Sequence, residues 1–185
     1  MKKLGASICM QFLCAIVFGQ DYMPVDQGSS VSFKVKNFGF YTGGTFSGLQ
    51  GHIRFDRSNL ASSTFDVTID ATSVNTGVSM RDDHLKEDLY FNVKRYPRIR
   101  FVSTSIKPGR ENAFEVKGKL TIKDRTHDLN FPFTVTQSND GYVFNGEFRI
   151  SRKDYDIGGS SSISDAVDIT LTVAAKKSLS NTASP

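Results

Sequence analysis

Residues 114–150, "FEVKGKLTIKDRTHDLNFPFTVTQSNDGYVFNGEFRI", alternate apolar and polar side chains through three runs separated by "KDRTH" and "QSNDG". Phe114, Val116, Gly118, Leu120 and Ile122 share one face; Leu129, Phe131, Phe133 and Val135 share the next; Tyr142, Phe144, Gly146, Phe148 and Ile150 share the third. Period two is the signature of a half-buried strand. Links this short join antiparallel neighbours, because a parallel pair needs a crossover of a dozen or more residues.

The same alternation extends in both directions. Upstream it marks Val31, Phe33 and Val35, with Ser32, Lys34 and Lys36 opposite; Ile53 and Phe55; Phe65, Val67, Ile69 and Ala71; and Ile99 and Phe101. Downstream it marks Val167, Ile169, Leu171 and Val173. Further turn-forming clusters, "DRSNLASS" and "KPGREN", precede the third and fifth runs. The expectation is an all-β chain: eight antiparallel strands in one meander that closes on itself. An eight-stranded barrel is either filled by its own side chains or holds one small ligand. Fifteen Phe and no Trp suit an aromatic-lined tunnel, but the same rings also interdigitate in a packed core or sandwich.

The alternation stops at residues 79–101, "SMRDDHLKEDLYFNVKRYPRIRF". Ser79 with Asp82 three residues on resembles a helix start, and acidic residues in a first turn suit the positive helix end. Leu85 and Leu89 lie four apart, and Pro97 keeps helix out of the next strand. A short helix near residues 79–90 is expected beside the barrel. Leu85, Leu89 and Phe91 would cover its open end, with Arg81, Lys86 and Lys94 in water. That helix is either a lid over a ligand or a stopper on a core.

The first nineteen residues have the three-part pattern of a cleaved secretory signal: Lys2 and Lys3, an apolar run from Leu4 to Phe18, then small or polar residues. Both cysteines, Cys9 and Cys14, fall inside it, and Gln11-Phe12-Leu13 before Cys14 lacks the small residue expected before a lipidated cysteine. Cleavage after Gly19 leaves 166 of the 185 residues without a disulfide, enough for one domain at 23–177 with residues 178–185 as a loose tail. It also leaves 21 basic residues against 19 acidic, a formal charge of +2, so nothing calls for a nucleic-acid partner. The expected location is periplasmic or secreted.

No catalytic motif stands out. The mature chain has no cysteine nucleophile and no Gly-x-Ser-x-Gly elbow, and His52, His84 and His127 occur singly, without metal-ligand spacing. The reading is no enzyme, no metal and no cofactor. His84 is either a general base or a group that fixes the helix to the barrel, and "IGGSSSISD" (157–165) is either an anion-binding loop or a plain connection. Arg98 and Arg100, near Arg95, alternate outward, where a membrane surface with anionic head groups and simple solvation are both adequate explanations.

In order and spacing, "VDQGSSVSFKVKNFGFYTGGTFSG", "RDDHL", "YFNVKRYPRIRF", "VKGKLTIKDRTHDLNFPF" and "ISRKDYDIGG" resemble the YceI-like family from about Met23 to Lys177. The resemblance implies a lipocalin-like extended barrel with a helix beside it, export to the periplasm, and a polyisoprenoid or other long amphiphilic lipid in the bore. A homodimer is implied only by that resemblance. Arg81, Asp82, His84 and Leu85 match the family's Arg-Asp-x-His-Leu element, and Tyr90 and Phe91 its paired aromatics. Asn92 stands where many members carry Asp, and Asn37 where many carry His. The bore residues expected to hold a long-chain lipid, isoprenoid or fatty-acyl, are Phe33, Val35, Phe46, Phe55, Val67, Ile69, Leu85, Phe91, Phe101, Leu120, Phe133 and Phe148, with Arg81 and His84 at its head group. The competing reading is an exported structural or stress-response protein whose packed barrel acts through a protein partner.

Overall fold

Strands β5 (Phe114–Ile122), β6 (Arg125–Ser138) and β7 (Gly141–Ser151) form the expected meander. β5 and β6 are in register from Phe114↔Phe133 to Ile122↔Arg125, and β6 meets β7 through a two-residue turn closed by Ser138↔Gly141. The computed structural model describes residues 20–160 and 162–178. The expected signal segment, and all of the expected tail except Ser178, lie outside them.

Five further strands complete the sheet: β1 (Asp21–Asn37), β2 (Phe40–Arg54), β3 (Thr64–Asn75), β4 (Arg98–Pro108) and β8 (Ile163–Lys177). Every strand pairs with its sequence neighbours, and β1 also pairs with β8, so the antiparallel sheet closes into an eight-stranded barrel. Phe33 makes the seam visible, facing Gly44 on one side and Ile169 on the other. Each strand therefore has two neighbours, which removes the free edges through which a second copy would add. One helix, α1 (Ser79–Lys86), joins β3 to β4.

The up-and-down topology defines two ends. The β2–β3, β4–β5 and β6–β7 connections lie at one, here the lower end. The β1–β2 hairpin, the α1 segment, the β5–β6 hairpin and the β7–β8 connection lie at the upper end. The lower half is solid. Phe55, Phe65, Phe114, Phe133 and Phe144 are buried there with Tyr22 and Ile53, and Phe55 stands edge-on to Phe114, Phe144 and Tyr142 at 5.3, 5.5 and 5.6 Å between ring centres. Such crossings bring the positive ring edge to the negative face.

In the upper half Ala71, Ile99, Leu120, Ile122 and Tyr155 form a second cluster. The Tyr155 ring lies edge-on to His127 at 5.1 Å. Burial, with a smaller contribution from Asp154, pushes the Tyr155 phenol up from 10.0 to about 12. The fold therefore prefers the neutral phenol. That preference stabilises fully below pH 10 and is lost as the pH rises through about 12. Tyr155→Phe is expected to leave stability at neutral pH near that of the parent and to raise the midpoint of alkaline unfolding, followed by circular dichroism with phenolate absorbance. An unchanged midpoint would count against this account.

Candidate functional site

Above the aromatic plug the barrel is hollow. A cavity of about 250 Å³ with an almost entirely apolar wall occupies the upper half. Strand alternation delivers that wall: Phe33 and Val35 from β1, Phe46 from β2, Val67 and Ile69 from β3, Phe101 from β4, Leu120 from β5, Phe148 from β7 and Ile169 from β8. Phe133 and Phe144 belong to both the wall and the plug.

Glycines set how the rings lie. A Cβ on Gly44 would come within 2.8 Å of the Phe33 ring, and one on Gly118 within 2.5 Å of the Phe101 ring. Without those Cβ atoms the rings fold back against the neighbouring strand instead of crossing the bore, the close approach that only glycine permits.

The roof comes from the two long upper connections. After α1 the chain turns through a backbone bond from the Phe91 N–H to the Leu85 carbonyl at 3.0 Å. This brings Leu85, Tyr90 and Phe91 to the cavity, and Phe91 meets Phe46 edge-on at 5.4 Å. Asn92 has φ 46°, a left-handed conformation that asparagine tolerates better than most residues, and its carbonyl accepts from the Arg95 and Tyr96 N–H groups. Asn92 is thus a turn residue. The other departure from the family pattern, Asn37, accepts a 3.3 Å bond from the Ser162 hydroxyl.

Arg152 organises the rest of the roof. It follows β7 in a single 3-10 turn, is 4% exposed and borders the cavity. Its Nη1 donates to the carbonyls of Ile157 (2.7 Å) and Gly159 (2.9 Å), Nη2 to that of Ile163 (3.1 Å), and Nε to that of Ser164 (3.2 Å). Nη2 also meets the Asp165 carboxylate at 3.1 Å. A guanidinium has five N–H donors, and four of them bond these carbonyls. The "IGGSSSISD" segment thus turns carbonyls inward around a cation, which is the reverse of an anion-binding nest. The Gly158 N–H then donates to the Leu89 carbonyl at 2.8 Å, tying the two halves of the roof together.

Several placements differ from expectation. Phe55 does not line the cavity: it is 3% exposed at the heart of the lower plug, because it follows the last residue of β2 at the lower end. Leu89 lies beyond the end of α1 and is 60% exposed, so Leu85 and Phe91 cover the barrel without it. Ser79 does not cap the helix. Val78 occupies the cap position, and the Asp82 carboxylate instead accepts from the Thr76 N–H and hydroxyl at 2.8 and 2.5 Å. Thr76 is also the main cause of the lowered Asp82 pKa. Arg81 does not simply face water, since its Nε and Nη2 donate to the Thr76 hydroxyl and carbonyl. His84 is exposed, and neither it nor Arg81 borders the cavity.

Arg98 and Arg100 are also engaged. Arg98 donates to the Thr68 hydroxyl and the Gly48 carbonyl. Arg100 forks onto Asp66 at 2.9 and 2.7 Å, and this contact is the main reason the Asp66 carboxyl titrates below its usual range. Arg152 is the site residue that motif reading passed over. The inward row Phe144, Gly146, Phe148, Ile150 leads directly to position 152, so period two contains the signal.

Among the described residues no three His, Cys, Asp or Glu side chains gather as metal ligands, and none of those types borders the cavity. The YceI-like domain model matches residues 22–175. The protein YceI of Escherichia coli O17:K52:H18 is 30% identical over 186 residues, covering 94% of this chain and 97% of the relative. A UPF0312 protein of Yersinia enterocolitica is 31% identical over 140 residues, 71% of each chain. Among solved structures, BcnA of Burkholderia cenocepacia is similar with a TM-score of 0.74 and 31% identity, covering 78% of this chain and 94% of that one. A polyisoprenoid binding domain from Saccharophagus degradans shares the fold with a TM-score of 0.68 at 14% identity, over 87% of this chain and 100% of that one. With the domain model spanning nearly the whole barrel, the chain belongs to the YceI-like family.

Proposed function

We propose that this barrel is an exported, non-catalytic binding protein that holds the chain of a polyisoprenoid or fatty-acyl lipid in its upper cavity. The observation that carries the proposal is the cavity itself, about 250 Å³ walled almost wholly by carbon. An engineered apolar cavity of about 150 Å³ takes up benzene, so the bore accommodates roughly ten carbons, about two isoprene units. At about 0.8 kcal/mol per buried methylene, that is roughly 8 kcal/mol before the ordering cost of binding is subtracted. The related fold described as polyisoprenoid binding supports this ligand class, and the N-terminal signal pattern supports export. A polar head leaving past Leu85 meets the exposed His84 side of α1, whereas Arg81 reaches it only by releasing Thr76.

Native mass spectrometry of protein isolated without detergent, before and after solvent extraction, tests the reading. A stoichiometric long-chain species that disappears on extraction is expected; a consistently empty protein would replace this reading with the protein-partner one. Val35→Trp adds an indole to the cavity wall. Displacing about four methylenes at about 0.8 kcal/mol each should weaken loading roughly a hundredfold. Loading that is unaffected would place the ligand elsewhere.

A further inference from the structure

Among the described residues, seven large hydrophobic side chains are strongly exposed: Met23, Phe38, Phe40, Tyr41, Val78, Met80 and Leu89. All but Met23 sit at the upper end, where the cavity lies. Three of them crowd the β1–β2 hairpin, with Phe38 78%, Phe40 79% and Tyr41 63% exposed. Asn37 pairs with Phe40 across a two-residue turn in which Phe38 has φ 48° and Gly39 φ 84°. Positive φ at both central residues is the turn that favours Asn-Gly, and a bulky side chain at its first position is a genuine outlier. Phe38 is thus in an unfavourable backbone conformation and in water at once. Folding gains nothing from it, the kind of outlier that points to a function.

We infer that this hairpin is a membrane-docking tip, which inserts Phe38 and Phe40 into the interface of an anionic lipid bilayer at the upper end of the barrel. Two observations select a bilayer. The charged residues of 31–46 are Lys34 and Lys36 alone, both exposed, with no carboxylate within ion-pair distance among the described residues. The neighbouring Asp168 is held by Arg149. Lys36 lies over the Tyr41 ring at 5.2 Å, so lysine and tyrosine form the amphipathic border that suits a head-group layer. Secondly, the hairpin is continuous with the cavity wall. Register is regular from Val31↔Phe46 to Asn37↔Phe40, so Phe40 shares the inward parity of the cavity-lining Phe46 and prolongs that wall beyond the rim. A lipid chain moving between bilayer and bore would keep apolar contact. The inference stands apart from cavity occupancy, which mass spectrometry reads separately.

The test is co-sedimentation of the mature protein with vesicles of phosphatidylglycerol and phosphatidylethanolamine, beside vesicles of phosphatidylcholine alone. The parent should pellet with the anionic vesicles. Phe38→Asn, which supplies the residue the turn prefers and should keep or raise the melting temperature, should reduce pelleting roughly tenfold or more. Replacing Lys34 and Lys36 by Ser should abolish the preference for anionic vesicles. A parent that stays in the supernatant, or a Phe38→Asn variant that pellets like the parent, overturns the inference. So does light scattering that shows a lipid-free dimer dissolved by Phe38→Asn, which would make the occupant a second copy. A protein that carries lipid but ignores vesicles defeats this inference alone; one that docks while empty defeats only the cavity reading.

Discussion

Phe55→Ala is expected to lower the unfolding free energy by about 3–5 kcal/mol while leaving ligand loading near that of the parent. The ring is 3% exposed and has edge-to-face partners in Phe114, Phe133, Phe144 and Tyr142. Removing it leaves a void that the closed barrel wall cannot collapse to fill, so the cost includes both lost transfer energy and lost packing. Phe46→Ala is the informative contrast. Its ring already borders empty space, so its loss should cost less stability and alter loading instead. Urea midpoints at unchanged slope measure the first quantity, and native mass spectrometry the second. If Phe55→Ala emptied a still-folded protein, the division into solid lower half and hollow upper half would be wrong.

That division was only partly visible in the sequence. Alternation located all eight strands because each presents one apolar face to the interior and the other to water, as β5 shows from Phe114 to Ile122. It caught little of β2, where glycines and register shifts between Thr45, Ser47 and Gln50 break the period. There the Asp26 carboxylate takes the N–H groups of Gly48 and Leu49, a long-range contact that no local pattern reveals. Period two also says which side chains point inward without saying at what height. Phe55 and Phe46 both carry the apolar signature, yet one closes the plug and the other lines the void. Height depends on barrel stagger, which is fixed only once β1 meets β8. The helix was legible from Leu85 and Pro97. Its first residue, Ser79, was legible too; its cap at Val78 was not, because Asp82 bonds Thr76, nor was its end at Lys86, short of residue 90.

Arg152→Met should be comparably severe, with a loss of about 3–5 kcal/mol, because several hydrogen bonds to one charged donor are lost at about 1.5–3 kcal/mol each while the freed carbonyls partly recover water, but with a different pattern of consequences. The guanidinium gathers the carbonyls of Ile157, Gly159, Ile163 and Ser164, and Met supplies the bulk without a donor. Those carbonyls would have to turn to water, and the β7–β8 connection would leave the barrel. Asp165 would suffer less, because its carboxylate is half exposed and also held by Lys153 at 3.1 Å. Since the Gly158 N–H bonds the Leu89 carbonyl, loosening this connection also frees the segment that carries Phe91. Hydrogen exchange should therefore rise across 157–164 and around 89–91, and lipid loading should fall together with stability, unlike the Phe55→Ala result. Arg152→Lys should not rescue either property, because an ammonium offers three donors from one point where the site uses four spread over a plane. The opposing account treats Arg152 as an anchor for a ligand head group. It predicts that Arg152→Lys loses affinity while keeping the parent's stability and exchange protection. That outcome would sink the clasp; a joint loss in both variants would establish that this cation acts on the ligand by holding the roof in place.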